Sequence, residues 1–326
     1  MQFFRFSLLN HPIKSMKHFF SQVEDLSVNN SLLNAESYFS DQKTSGLVEK
    51  QINADRTAIL VVGGGLPCTA YSLENSICRP ISLAEFSSLN DGISHLRAIK
   101  LPDAAGRMAW LALESQAKNK YSIGSDDAWK KQLDQWKRDR WYGLIEITAK
   151  AMHGFALFWK GDIQKSEIIF STPQGFVADF PPMDSANTFP WEVTIYAHTP
   201  SAQAYQCAIL RQGAVEWSHQ ILTRYGNLVG QKLLQLMDRE LNRQILPWQW
   251  NISLNENVMA DAHFFPSLGE ATHAYRALFM AMGAQMNFVI GNMLTQKLLN
   301  ETFEQIHPDE RAVLRSERLI PPAFSE

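Results

Sequence analysis

Residues 95–113, HLRAIKLPDAAGRMAWLAL, and residues 193–210, VTIYAHTPSAQAYQCAIL, decide the expected fold. Each opens with an alternating run, the period of two that turns one face of a strand toward a core. Each then meets a proline, Pro102 or Pro200, suited to the first turn of a helix, and passes into a run of small and apolar residues. Each also follows a glycine-containing strand pair. The pairing predicts an internal duplication, with 58–118 set against 143–211. Coincidence is the competing explanation, because strand–proline–helix is a common way to leave a sheet.

Upstream of the first stretch, Ala58–Val62 and Leu66–Leu73 flank Gly63-Gly64-Gly65 as a strand, turn and strand. Ser82 and Glu85 form a capping box for a short helix over 82–89. Residues 121–140 are expected as a connecting helix, with Trp129, Leu133 and Trp136 on one face. Upstream of the second stretch, strands are expected at 143–148, 154–159 and 163–170. Residues 12–26 read as a short amphipathic helix, and 27–56, rich in Ser, Asn and Gln, as a linker.

The last third is helical by period. Trp217, Ile221, Tyr225, Leu228, Leu233, Leu236, Leu241 and Ile245 read as one stripe, ended by Pro247. Tyr275, Phe279, Met282, Met286, Val289 and Met293 fall in step on a second long helix or broken pair over 267–306. Gly283 and Gly291 are candidate bends. The expected fold class is therefore α+β. It comprises an N-terminal segment and linker (1–56), a first αβ unit with connecting helix (57–140), a second αβ unit (141–213) and a helical C-terminal region (214–326).

Composition narrows the function. The 326 residues carry 45% hydrophobic side chains, enough for a sizeable core, and a formal charge of −3, too small to hold nucleic acid or an anionic membrane by field alone. Cys68, Cys78 and Cys207 form no metal or disulfide pattern, which points to a reducing, cytoplasmic setting. The N-terminus lacks the pattern of a secretory signal. The apolar stretch 275–294 is interrupted by Arg276, Gln285, Asn287 and Asn292, so no membrane span is expected.

Reaction-grade motifs fail on spacing. The triple glycine leads into a strand, not a helix N-terminus, so its amides do not converge on a phosphate. No HExxH, His/Cys cluster or GxSxG elbow occurs, and Ser218-His219 are adjacent, about 100° apart on a helix. Lys130, Lys131, Lys137, Arg138 and Arg140 interleave with tryptophans, but Asp126, Asp127, Asp134 and Asp139 dilute them, which favours a solvated helix over a nucleic-acid site. No catalytic residue, cofactor or metal is expected.

Residues 144–168, LIEITAKAMHGFALFWKGDIQKSEI, resemble PatA amino-terminal-type (PATAN) regulatory domains. The matching positions are Gly154, Phe155, Phe158, Trp159, Gly161 and Ile163, over about 30 residues. The resemblance implies a bacterial signalling adaptor that binds other proteins, and it carries over no catalytic residue. The chain departs from the family in lacking a receiver domain and in its long helical extension. A Roadblock/LC7-like arrangement, a small sheet with dimerising helices, stays open beside it.

Three functions follow as expectations. The first is a non-enzymatic regulatory adaptor binding other proteins or itself as a homodimer, with Trp248, Trp250, Phe264, Phe265, Trp129 and Trp136 as candidate partner contacts. The second is a sensor of a nucleotide or metabolite, with Arg79, His95, Arg97, His198 and Arg211 as candidate ligand contacts. The third is an enzyme of unrecognised type.

Overall fold

The computed structural model describes residues 25–26, 32–53, 55–74, 77–89, 95–150, 152–172, 175–180, 189–197 and 199–319. The expected helix over 12–26 and the tail from Ile320 lie outside them, apart from Asp25 and Leu26. The fold is α+β, in two compact units, Met1–Thr199 and Pro200–Glu326.

The first unit holds β1 (Asp25–Leu26), α1 (Leu32–Gln42), β2 (Ser45–Gln51), β3 (Arg56–Gly63), β4 (Leu66–Glu74), β5 (Ile77–Ile81), α2 (Leu83–Ser88), β6 (His95–Leu101) and α3 (Asp103–Leu113). There follow β7 (Ala117–Ile123), α4 (Asp126–Arg138), β8 (Gly143–Ala149), β9 (Met152–Trp159), β10 (Asp162–Thr172), β11 (Gly175–Val177) and β12 (Trp191–Tyr196). Every described pairing is antiparallel, in two sheets of order β1-β6-β2-β3-β4-β5 and β7-β12-β8-β9-β10-β11. The two orders are the same when β1 is laid on β7, β2 on β8 and so on through β6 on β12. The helix after the first strand also recurs, α1 against α4.

The likeness reaches individual hydrogen bonds. At the end of α1, Lys43 N donates to Ser40 O (3.2 Å) and Thr44 N to Phe39 O (3.2 Å). At the end of α4, Arg140 N donates to Lys137 O (3.2 Å) and Trp141 N to Trp136 O (2.9 Å). Lys43 and Arg140 both sit at φ 48°, the left-handed cap that ends a helix. The following hairpin turn is tied back in the same way, Gly65 N to Thr44 O (2.9 Å) and Gly161 N to Trp141 O (2.8 Å). The structure thus supports a duplication but shifts its register. The hairpin β3–β4 corresponds to β9–β10, not to the strands at 143–159, and each copy begins earlier than the sequence patterns placed it.

That shift comes from elements the sequence hides. Residues 27–56, expected as a linker, hold α1 and β2, a strand internal to its sheet. Their polar composition misleads because Lys50 is buried, its Nζ 3.4 Å from Phe86 O and 5.9 Å from the Phe86 ring centroid. The segment 121–140 is not all helix: β7 covers its start and pairs with β12. Helix α4 is capped by Ser125, carries Asp126 and Asp127 in its first turn and Lys137 and Arg138 in its last, and so complements its dipole. It buries Trp129 and Trp136 with Ile145, Ala156 and Phe158 on one face of the second sheet. The expected boundary at 140/141 therefore falls inside the second copy.

Phe39 of α1 and Phe86 of α2 close one face of the first sheet against Val48, Leu60 and Ala98. Helix α3 packs on strands of both sheets. Its small residues Ala105, Gly106, Ala109 and Ala112 are all buried, which lets strands approach closely. Arg107, 4% exposed, reaches Glu167 of β10 at 3.0 Å and donates to Ser166 O at 2.6 Å.

The second unit begins earlier than expected. Helix α5 (Gln203–Val229) and α6 (Gln231–Ile245) meet at Gly230, and α7 (Leu268–Ile290) and α8 (Asn292–Gln305) meet at Gly291. A 3-10 turn (Leu246–Trp248) and the hairpin β13 (Ile252–Asn255) and β14 (Val258–Asp261) join the pairs, and α9 (Pro308–Ser316) follows. The two bends match: Gly230 has φ 84° and ψ 162°, Gly291 φ 77° and ψ 162°. Laying Gly230 on Gly291 also superposes buried positions, Trp217 on Leu278, Ile221 on Met282, Leu241 on Thr302 and Ile245 on Ile306. The one long helix expected over 217–245 is therefore two helices whose apolar stripes differ in phase.

Candidate interaction surface

Among the expected ligand contacts, Arg79 and Arg97 do not converge. Arg79 lies on β5 and pairs with exposed Glu85 at 3.7 Å. Arg97 lies on β6 and faces Glu49 across the strands at 4.0 Å. Three strands separate β5 from β6, a span of about 19 Å at the usual strand spacing. His95 begins β6, but its side chain lies outside the described part of the structure, as does His198 altogether. Arg211 belongs to the other unit, where it is buried. Arg79 and Arg97, expected to share a ligand, therefore stand on separate strands of the first sheet.

The expected partner contacts divide. Trp129 and Trp136, 1% and 4% exposed, are core, in edge-to-face contact with centroids 5.8 Å apart. Phe264 and Phe265 are buried as well, and Phe265 packs edge-to-face on Tyr275 at 5.6 Å. Trp248 is exposed and rests on half-buried Trp250 at 4.5 Å. Of the six, these two reach the surface, because the hairpin β13–β14 folds the phenylalanines inward.

Two buried polar clusters were not assembled by sequence reasoning, although Arg211 of the second was singled out. Glu146 on β8 accepts from the Tyr196 hydroxyl of β12 at 2.6 Å and meets His153 Nε2 of β9 at 2.6 Å. All three are under 7% exposed, so the arrangement links three neighbouring strands through buried hydrogen bonds rather than facing solvent. The only sequence signal was a charge inside the run GLIEIT. In the second unit, Asp261 at the end of β14 takes the Tyr275 hydroxyl of α7 and lies 3.4 Å from the Arg211 guanidinium of α5. Arg211 also donates to His263 O at 2.8 Å. Among the described residues, no group of three or more His, Cys, Asp or Glu is placed to hold a metal ion, and no helix is long and apolar enough to cross a membrane.

The Asp261 junction fixes the direction of the helices. It brings Arg211 of α5 beside Tyr275 of α7. Further along the same helices, Trp217 touches Phe279, with centroids 4.4 Å apart. The contact advances along both helices together, so α5 and α7 run side by side in the same sense. Their C-terminal bends, Gly230 and Gly291, consequently emerge at the same end of the unit.

That end is apolar and uncovered. Leu228 is 63% exposed and Leu233 38%, flanking Gly230; Phe288 is 89%, Met293 82% and Leu294 51%, flanking Gly291 with Val289. Sequence periodicity assigned Leu228, Leu233, Leu236, Val289 and Met293 to core stripes. The glycine bends overturn this, since each resets the helical phase and leaves Leu234, Met237, Leu241 and Ile245 as the buried row of α6. The five-residue step from Leu228 to Leu233, off the helical repeat, was the available signal. From Tyr225 to Met237 and from Ala271 to Asn300 the chain has no Asp or Glu.

Comparison with family models, with curated proteins and with solved structures found no match.

Proposed function

We propose that this chain is a non-enzymatic regulatory adaptor that works by binding protein through the apolar end of its helical unit. One observation carries the reading: six large apolar side chains stand exposed around two matched glycine bends. Contiguous apolar surface at one place on a molecule marks an interaction site, whereas isolated exposed leucines do not. The expectation of a bacterial signalling role rests on the PATAN-type resemblance of residues 144–168 and is of the same kind, an adaptor without chemistry of its own.

The test is affinity capture of the tagged full chain from the cells that make it, with quantitative comparison of variants. Phe288→Asp together with Met293→Asp removes the two most exposed side chains of the bend. Loss of specific captured proteins in this variant, with retention in Trp248→Asp, is the expected result. The same captured set from both variants would refute the assignment of the surface.

A further inference from the structure

We infer that the apolar end of the helical unit is a homodimer interface, occupied by the same end of a second copy of this chain. This rests on the adaptor reading and names one partner for its surface.

Area is the first ground. At roughly 200 Å² for a fully exposed large apolar residue, the exposures of Leu228, Leu233, Phe288, Val289, Met293 and Leu294 amount to on the order of 700 Å². The largest apolar patch on an ordinary monomer is about 300–600 Å². Each partner in a standard-size stable interface contributes roughly 600–1,000 Å². Summed over the two bends, the exposed apolar area is about what one partner in a standard dimer contributes.

Symmetry is the second. A twofold contact must be self-complementary, each feature meeting its equivalent across the axis. Here the two bends are near copies in backbone, yet they differ in side-chain exposure. Phe288 and Met293 at the Gly291 bend are 89% and 82% exposed, while Leu228 and Leu233 at the Gly230 bend are 63% and 38%. A twofold axis through the end would set the Gly291 bend of each copy on the Gly230 bend of the other.

Charge is the third. The two bend segments contain no carboxylate to desolvate, and their lysines are Lys232 and Lys297, the latter 3.9 Å from Glu301. Long lysine stems lie along an apolar rim with the ammonium in water, so two of them do not oppose a twofold contact. An anionic lipid surface is recognised instead by clusters of about four to eight basic residues, which this end lacks.

Sedimentation equilibrium of the full chain, over a concentration series, tests the inference. The expected result is a mass twice the 37.0 kDa of the chain. The Phe288→Asp, Met293→Asp double variant should self-associate about 100-fold more weakly while keeping the wild-type circular dichroism spectrum. Leu246→Asp, at another exposed leucine, should leave the dimer intact. A wild-type chain that stays monomeric overturns the inference, as does a dimer that survives the double variant. So does a monomer that co-sediments with phosphatidylglycerol vesicles. A monomer whose captured partners still depend on Phe288 and Met293 overturns the homodimer alone. A monomer whose captured set ignores them overturns the adaptor reading too.

Discussion

Replacing Gly291 with alanine isolates the backbone cost of the bends. With φ 77° and ψ 162°, Gly291 occupies a region open essentially to glycine alone, and an added Cβ would meet nothing within 4 Å. Steric contact with neighbours therefore contributes nothing, and the whole loss is conformational, about 1–3 kcal/mol. Gly230→Ala is its equal, at φ 84° and ψ 162° with the same open space. A helical unit of this length shifts by roughly 4 °C per kcal/mol, so each variant should melt about 4–12 °C lower. The double variant should lose about the sum. Gly269→Ala supplies the opposite sign in the same helix. It sits in the first turn of α7, where the nearest atom to a new Cβ is Ser267 Oγ at 3.8 Å. Restricting the unfolded chain there should raise stability by about 0.5 kcal/mol. Urea and thermal unfolding followed by circular dichroism measure all four proteins. A neutral Gly291→Ala, or a large inequality between the two bends, would refute the claim that they are matched strained turns.

Two further predictions follow from burial. Trp129→Ala should cost about 3–5 kcal/mol, because it empties a packed site beneath α4, whereas Trp248→Ala should cost less than about 1 kcal/mol; equal losses by chemical denaturation would contradict the division of the tryptophans into core and surface. Asp238 is held above its ordinary 3.8 chiefly by burial, against the pull of the Glu256 N–H bond and with the Glu256 charge adding to the rise. A carboxyl raised on folding contributes stability that is full below its unfolded value and lost as pH climbs through its folded one. Asp238→Asn should therefore gain on wild type as pH rises from below 4 toward neutrality, and a pH-independent difference in urea midpoints would rule this out.

The alternating runs at 95–101 and 193–197, each leading through proline into a helix, carried the fold class and the idea of duplication, since strand and helix periods are local properties of a chain. Local period also found the helix carrying Trp129 and Trp136 and the helical last third. Phase and depth were not local. Strand β2 was hidden because Lys50 spends its charge against Phe86 O and ring, partners 36 residues away. The repeat register was settled by hydrogen bonds such as Gly65 N to Thr44 O, which no composition window contains. Phe264 and Trp248 are equally aromatic in the sequence; only the fold of the β13–β14 hairpin and its surroundings buries one and exposes the other. The interaction surface was the least legible, because Leu228 and Met293 continue apolar patterns that read as core. Two glycine backbones, at φ angles the sequence permits but does not require, turn those patterns outward. The sequence by itself determined the strands and helices whose period is unbroken by buried polar residues, and tertiary structure decided the elements hidden in 27–56 and 117–123 and which apolar face each element buries.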